Sequence, residues 1–153
     1  MPRVTREKVV GKRASRRTRE QSSSVDALEL AKAAIQAAIN QKALDVCGLD
    51  IRGLSDVADY FVIASGTSER HISGIADKIE AELKSIGEEP ISVSGYRTSD
   101  WVILDYGNIV VHVLYEPARQ FYNLDGLWKD AQKVPLPPEL QSEARMLQTG
   151  MFR

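Results

Sequence analysis

The sequence predicts an α/β domain in which helices flank a sheet. Three patterns predict it: helical repeats of apolar residues over 24–42 and 68–86, a continuous apolar run at 60–64, and a hairpin pattern at 101–114. Each helical repeat has one apolar face to bury, and an uninterrupted apolar run is typical of a strand buried on both sides. At 153 residues the chain fits one domain with a single core.

The first half of the chain predicts two helices and two strands in order. Ser23 would cap a helix over 24–42, and a strand over 44–51 would be interrupted at Gly48. The run 60–64 is the second strand. The second helix opens after Gly66-Thr67-Ser68 and ends in a left-handed cap at Gly87.

The second half predicts three strands, over 91–96, 101–106 and 109–114. Pro117 is tolerated in a first helical turn, so a short helix should run from there to residue 122, with further helical turns over 124–131. Regular structure should stop at the prolines that follow, namely Pro135, Pro137 and Pro138.

Composition and charge exclude several classes of protein. No apolar stretch is long enough to cross a bilayer. Cys47 is the single cysteine, which excludes a disulfide scaffold and a Cys-rich zinc module and favours a reducing compartment. We expect a cytoplasmic protein, although a leader rich in Arg and Ser is also compatible with an organelle transit peptide.

Charge divides the chain into a basic leader and an acidic remainder. Residues 1–24 carry eight basic and two acidic side chains, a net charge of +6, whereas the remaining residues carry 12 basic and 19 acidic ones, a net charge of −7. The leader has almost no periodic apolar residues to offset the entropy cost of ordering. We therefore expect a disordered basic leader at 1–23, a folded domain at 24–134 and a C-terminal tail at 135–153.

The hairpin pattern at 101–114 is specific enough to predict which residues pair. Gly107-Asn108 forms a two-residue turn between two apolar runs, which fixes the register. One side of the ribbon would be entirely apolar and belong to the core. The other side would pair Trp101 with Leu114, Ile103 with His112, and Asp105 with Val110.

This second side of the hairpin is mostly apolar where simple alternation predicts polar residues. Two interpretations remain open at this point. Helices of the chain itself would cover it, as in many α/β sheets, or it is a docking surface with Trp101 as its anchor.

Candidates for catalysis and for ligand binding are few. His112 is the best general base, with Asp105 on the same side of the ribbon, but the register places them diagonally and no Ser or Cys nucleophile is near. The alternative is a polar histidine at an interface. We expect His71 to make capping or solvent contacts and Cys47 to be a small buried apolar residue. The turn Gly66-Thr67-Ser68 could either bind a phosphate at the start of the helix or only cap that helix.

An ordered series of motifs resembles the ribosomal silencing factor family, also called Iojap, over about residues 25 to 134. Each motif alone is weak, and the series is specific. The motifs are Asp59-Tyr60-Phe61-Val62-Ile63-Ala64-Ser65-Gly66-Thr67-Ser68, Arg70-His71, Ile75-Ala76-Asp77, Asp100-Trp101, Asp105-Tyr106-Gly107, Val110-Val111-His112-Val113, Arg119, Phe121-Tyr122, Leu124 and Leu127-Trp128.

The resemblance implies a nucleotidyltransferase-like fold, with a mixed sheet and flanking helices but no catalytic metal site, no cofactor and no transferase activity. It further implies binding to the large ribosomal subunit at universal ribosomal protein L-fourteen. Occupying that surface blocks joining of the small subunit and lowers translation when nutrients are scarce. The family also forms a free homodimer.

The residues themselves point away from transferase chemistry. Such an enzyme needs two carboxylates at alternate positions of one strand to hold Mg²⁺. Asp105 instead has Ile103 and Gly107 at the alternate positions. A divergent enzyme using Asp105 and Asp77 remains an alternative, as does an RNA-binding module driven by the leader.

The expected partner-binding residues are a few desolvated anchors with polar neighbours. A weak, salt-sensitive contact of the leader with ribosomal RNA is also expected from its charge. We expect four further residues to pack the terminal helices against the sheet: Arg119, Phe121, Tyr122 and Trp128. The expected binding set is Trp101, Ile103, Asp105, Val110 and His112.

Overall fold

The structure is a computed structural model and describes residues 26–96 and 100–136. The predicted leader, and the tail from residue 137 onward, lie outside the described residues. The helices are α1 (Ala27–Asn40), α2 (Glu69–Ser85), α3 (Glu116–Tyr122) and α4 (Leu124–Leu127). The strands are β1 (Leu44–Asp50), β2 (Tyr60–Gly66), β3 (Ser92–Ser94), β4 (Trp101–Asp105), β5 (Ile109–Tyr115) and β6 (Gln132–Lys133).

The strands form one mixed sheet in the order β3-β4-β5-β2-β1-β6. The central strands β2 and β5 are parallel, and every other neighbouring pair is antiparallel. All seven residues of β2 are buried, as the continuous apolar run predicts for a strand covered on both sides. The predicted fold class, a mixed sheet with flanking helices, is confirmed.

Helices α1 and α2 cover one face of the sheet and enclose the larger core. Their buried apolar residues pack against alternate residues of the central strands, including Val62, Ala64, Val111 and Val113. Since consecutive strand residues point to opposite faces, the intervening residues face the other way. This second face carries a smaller apolar cluster.

The start of α1 and the path of β1 differ from the prediction. Asp26 is the N-cap, because its side chain accepts a hydrogen bond from the Glu29 amide, and the predicted cap Ser23 lies outside the described residues. Strand β1 continues through Gly48, with its irregularity between Leu44 and Cys47. A Cβ at Gly48 would lie 2.9 Å from Ile35 Cδ1, so this glycine lets α1 approach the sheet closely.

Helix α2 has the predicted caps at both ends. The Ser68 hydroxyl accepts a hydrogen bond from the His71 amide at 3.1 Å. At the other end Gly87 has a φ of +91°, and the amides of Gly87 and Glu88 bond back to Lys84 and Leu83. This is a Schellman motif, which satisfies the last helical carbonyls.

The predicted register of the hairpin is confirmed pair by pair. Trp101 lies opposite Leu114, Ile103 opposite His112, and Asp105 opposite Val110. Gly107 has a φ of +90°, the region that favours glycine, so the turn forms without backbone strain. The residues expected on the core side are therefore the ones that face α1 and α2.

Two short strands form the edges of the sheet. β3 is confined to Ser92–Ser94, although the sequence predicts a strand over 91–96. β6, with only two residues, pairs with Leu49 and Asp50 of β1 and was not predicted. Directly after β6, the Val134 amide donates a hydrogen bond to the Gly48 carbonyl, which holds this segment against β1.

Candidate functional site

The second face of the sheet is covered over one half and partly exposed over the other. Leu124 of α4, with Trp128 and Ala131, packs over the part built by Phe61 and its neighbours. On β4, by contrast, Trp101 and Ile103 are only half-buried. The chain itself therefore covers one half of this face, whereas the half around Trp101 is open enough for the docking interpretation to stay a prediction.

His112 lies where the two halves of this face meet. It is buried, and its ring contacts Phe61 edge-on, with ring centroids 4.6 Å apart. Burial lowers the pKa of His112 to about 4, so the imidazole is neutral at neutral pH. Nε2 has no hydrogen-bond partner among the described residues, whereas Nδ1 accepts a hydrogen bond from Nε1 of Trp101 at 3.1 Å.

A row of aromatic rings continues from Trp101 to the surface. The ring of Tyr122 stacks at an angle on Trp101 with centroids 4.9 Å apart, and the ring of Phe121 contacts Tyr122 at 5.1 Å. Phe121 is 81% exposed and Tyr122 is 52% exposed. We call Trp101, Phe121 and Tyr122 the aromatic edge.

The exposure of Phe121 contradicts the expectation that it packs α3 against the sheet, whereas Tyr122 meets that expectation in part, because its ring contacts Trp101 of β4 although it is 52% exposed. At about 100° per residue, Phe121 lies about 160° from the buried Arg119 and points away from the sheet. Tyr122 lies between Ala118 and Arg119 in the last turn of the helix. Asn123 then takes a left-handed conformation with a φ of 54° and ends α3. The adjacency of the two rings and the asparagine after them are the sequence signal for this outcome.

Asp105 and Val110 lie at the turn end of the hairpin, away from the aromatic edge. Asp105 is four positions along β4 from Trp101, which is about 13 Å at the usual rise per residue. Asp105 is buried, and its carboxylate accepts a hydrogen bond from the Gly107 amide at 2.8 Å. Val110 is buried in the smaller cluster. Among the expected binding residues, the structure thus groups Trp101, Ile103 and His112.

Arg119 joins α3 to the sheet, as the sequence predicts. It donates hydrogen bonds to both carboxylate oxygens of Asp125, at 3.1 and 2.9 Å. It also donates to the Asp45 carbonyl, the Ser65 hydroxyl and the Cys47 sulfur. These bonds use every guanidinium donor, so Arg119 has none left for a ligand in the adjacent cavity of about 270 Å³.

The charges of this network set the titration of its members. Burial lowers the pKa of Arg119, but the hydrogen bonds with Asp125 and the electrostatic effects of Cys47, Asp125 and Asp45 together more than offset burial, and the net shift of the pKa is upward. The same hydrogen bonds lower the pKa of Asp125. Burial raises the pKa of the Cys47 thiol, which keeps it protonated at neutral pH and unreactive.

The polar groups at the start of α2 are engaged within the chain. The Thr67 amide donates to Nδ1 of His71 at 3.0 Å, and Nε2 of His71 lies 3.0 Å from the Gln41 carbonyl at the end of α1. His71 therefore makes the capping contacts that the sequence predicts. With Ser68 as the N-cap, the turn has the capping role rather than an open phosphate cradle.

Asp77 and Asp105, the pair of the enzyme alternative, are on opposite faces of the sheet. Asp77 lies on α2 and accepts a hydrogen bond from the Tyr96 hydroxyl, whereas Asp105 points to the second face. Within 26–96 and 100–136, no group of three or more His, Cys, Asp or Glu side chains is arranged to hold a metal ion. In the same residues no helix has the length and apolarity to span a membrane.

A comparison with protein families identifies the family of the chain. Residues 24–150 match the family described as "Ribosomal silencing factor during starvation". The chain belongs to the ribosomal silencing factor family. The resemblance read from the ordered motifs is thereby confirmed.

Individual relatives agree with this family. A ribosomal silencing factor of Halalkalibacterium halodurans is 38% identical over 71% of this chain and 92% of its own. One from Bacillus subtilis is 37% identical over 69% and 89%. A mouse relative, 32% identical over 58% of this chain and 40% of its own, is named for mitochondrial assembly of the ribosomal large subunit.

Solved structures related to this silencing factor have the same fold. A crystal structure from Chromobacterium violaceum is 30% identical, covers 69% of this chain and 88% of its own, and has a TM-score of 0.66. One from Bacillus halodurans is 35% identical, covers 71% and 98%, and has a TM-score of 0.62.

Proposed function

We propose that this ribosomal silencing factor binds the large ribosomal subunit at universal ribosomal protein L-fourteen and blocks joining of the small subunit. Membership of the family supports this, as does the mouse relative whose name refers to the large subunit. The protein would act in the cytoplasm and lower translation when nutrients are scarce. It would act by occupancy alone, without catalysing a reaction.

The observation that carries the proposal is the aromatic edge. Aromatic side chains dominate binding energy at protein interfaces, and Trp and Tyr are enriched among the residues that contribute most. Phe121 is 81% exposed and its ring contacts Tyr122, which packs on the half-buried Trp101, so a row of aromatic side chains faces water. An exposed apolar patch of this kind on a single chain marks a docking surface.

The geometry explains how binding would inhibit. The aromatic edge lies on the side of the second face of the sheet, whose opposite face is closed by α1 and α2. A partner seated on the edge would therefore be covered by the whole folded domain. Roughly 800 Å² per partner suffices for a stable interface, and the joining surface beneath it is then blocked.

Charge supports a protein contact over extensive wrapping of RNA. The chain after the leader has a net charge of −7. This charge favours a basic ribosomal protein as the partner and opposes close approach to phosphates. The leader, at +6, would add only a salt-sensitive attraction to ribosomal RNA. Deleting residues 1–24 should reduce the salt dependence of binding; unchanged salt dependence would contradict that role.

Sedimentation with purified subunits tests the proposal. We expect the protein to pellet with the large subunit and not the small one, and to lower the fraction of joined particles in a gradient. Phe121→Ser should weaken capture about tenfold without changing the melting temperature, because the ring is exposed in the free protein.

Ile86→Ser is the matched control, since Ile86 is exposed at the end of α2, on the other side of the sheet. It should bind like the wild type. Pelleting with the small subunit, or equal capture by the two variants, would contradict the proposed surface. If a homodimer hides the aromatic edge, the free wild-type protein should sediment as a dimer and the Phe121→Ser variant as a monomer.

A further inference from the structure

We infer that His112 is a positioning residue: by accepting the indole N–H of Trp101, it holds that ring in the orientation that a partner binds. The inference rests on the proposed docking of the large subunit. It changes the role of His112 from a contact residue to one that acts through its neighbour.

The geometry gives His112 no direct access to a partner. Its side chain is buried, with Phe61 against the ring and Ile103 opposite it on β4. Trp101, in contrast, is half-buried and lies between His112 and the exposed Tyr122. A macromolecule on this face therefore meets the indole and not the imidazole.

The chemistry of the pair fixes the direction of the hydrogen bond. An indole nitrogen only donates, so Nδ1 of His112 must present its lone pair, and the ring proton is on Nε2. This is the neutral imidazole, which is also the form that burial favours. Because Nδ1 lies on a buried ring that packs against Phe61, the bond restrains both side-chain torsions of Trp101.

A restrained indole is useful because ordering a large side chain on binding reduces affinity. With the hydrogen bond, Trp101 is held in one orientation before the partner arrives. Tyr122 packs on the ring from its other side at 4.9 Å. Loss of one such hydrogen bond should weaken binding about 3- to 10-fold, the range that a single net hydrogen bond covers.

Three substitutions separate this role from a merely structural one. His112→Phe keeps a flat ring and removes the acceptor. His112→Asn places an amide oxygen near the position of Nδ1 and restores an acceptor without an imidazole. Trp101→Phe removes the donor while His112 stays in place, so it remains informative if the buried site does not tolerate phenylalanine.

Two readouts are measured on each variant: solvent exchange of the indole N–H by NMR, and capture of purified large subunits. Trp128, the second tryptophan, is an internal reference, since its ring packs on Phe61 and is therefore one ring removed from His112. We expect His112→Phe to speed exchange at Trp101 but not at Trp128, and to weaken capture about 3- to 10-fold. His112→Asn should recover most of both.

The double variant decides the matter. If His112 acts through Trp101, then His112→Phe weakens capture by less than about twofold when Trp101 is already phenylalanine. An equal loss of capture in both backgrounds, or unchanged solvent exchange of the Trp101 indole N–H, would overturn the inference. In either case the proposed function is unaffected as long as the wild type still pellets with the large subunit. A wild type that does not pellet with the large subunit would overturn both.

Discussion

Acidification should destabilise this protein through His112. The unfolded chain has an ordinary histidine pKa of 6.5, whereas burial lowers the pKa in the fold to about 4. The unfolded state therefore takes up a proton first as the pH falls. The free energy of unfolding is unaffected above pH 6.5, decreases as the pH falls toward 4, and shows no further loss from this residue below that.

Between pH 7 and pH 5 the expected loss is about 2 kcal/mol, obtained by integrating proton uptake between the two pKa values. The figure changes little for any folded pKa of about 4 or lower, because at pH 5 the folded histidine is then still almost entirely unprotonated. In urea denaturation the midpoint should fall by about 1 M, given the slopes usual for a domain of this size.

His112→Asn is the control for that experiment, because it cannot titrate and retains a hydrogen-bond acceptor. The stability of the variant at pH 7 does not enter the comparison. Only the decrease in the free energy of unfolding between pH 7 and pH 5 is compared with that of the wild type. We expect that loss to be smaller than the wild-type loss by about 2 kcal/mol. Equal losses in the two proteins would refute the reasoning that His112 is buried in the neutral form.

Three further predictions concern packing and capping, each measured by urea denaturation at pH 7. Gly48→Ala should destabilise the fold by about 1–3 kcal/mol, because its Cβ would overlap α1; Gly74→Ala, in the interior of α2 with space for a methyl group, should stabilise by about 0.5–1 kcal/mol. The reverse order would contradict the packing described for β1. Arg119→Met should lower the free energy of unfolding by about 3 kcal/mol, because it leaves the buried Ser65 hydroxyl and the Asp45 carbonyl without their donor. A decrease below about 1 kcal/mol would contradict the role of Arg119 in joining α3 to the sheet. Ser68→Ala should cost about 1 kcal/mol by removing the N-cap of α2, and a neutral result would show that the cap bond is not needed.

Local patterns in the sequence were enough to predict most of the fold. The turn at Gly107-Asn108 fixes the register of β4 with β5, because a two-residue loop leaves no freedom in the pairing. Ser68 and Gly87 define the ends of α2 for the same reason, since a cap depends on residues within one turn. These features needed no knowledge of the rest of the chain.

Features that depend on distant contacts were missed. Strand β6 consists of Gln132 and Lys133, which have no strand pattern, and it exists only because β1 offers a free edge. The five bonds of Arg119 reach residues as far away in sequence as Asp45. The sequence shows that Arg119 lies on a short helix, but not what lies opposite it.

The candidate site was predicted in part. Alternation along the hairpin placed Trp101, Ile103 and His112 on one side, and the structure groups them there. It could not show that His112 is buried while Trp101 is half-exposed, since this depends on where Trp128 packs. The role of these residues in binding stays a prediction.

The short strand β6 covers part of the outer edge of β1, and chains that lack β6 would expose this edge. A seven-residue strand such as β1 presents a row of unpaired amides and carbonyls if its outer side is left open. In the intact protein Gln132 and Lys133 pair with part of that row, and Pro135 just beyond them has no amide to offer a further strand. A chain that stops before residue 132, whether from premature termination or proteolysis, would lose Val134 but keep most of its main core, and would aggregate by adding strand to strand along β1.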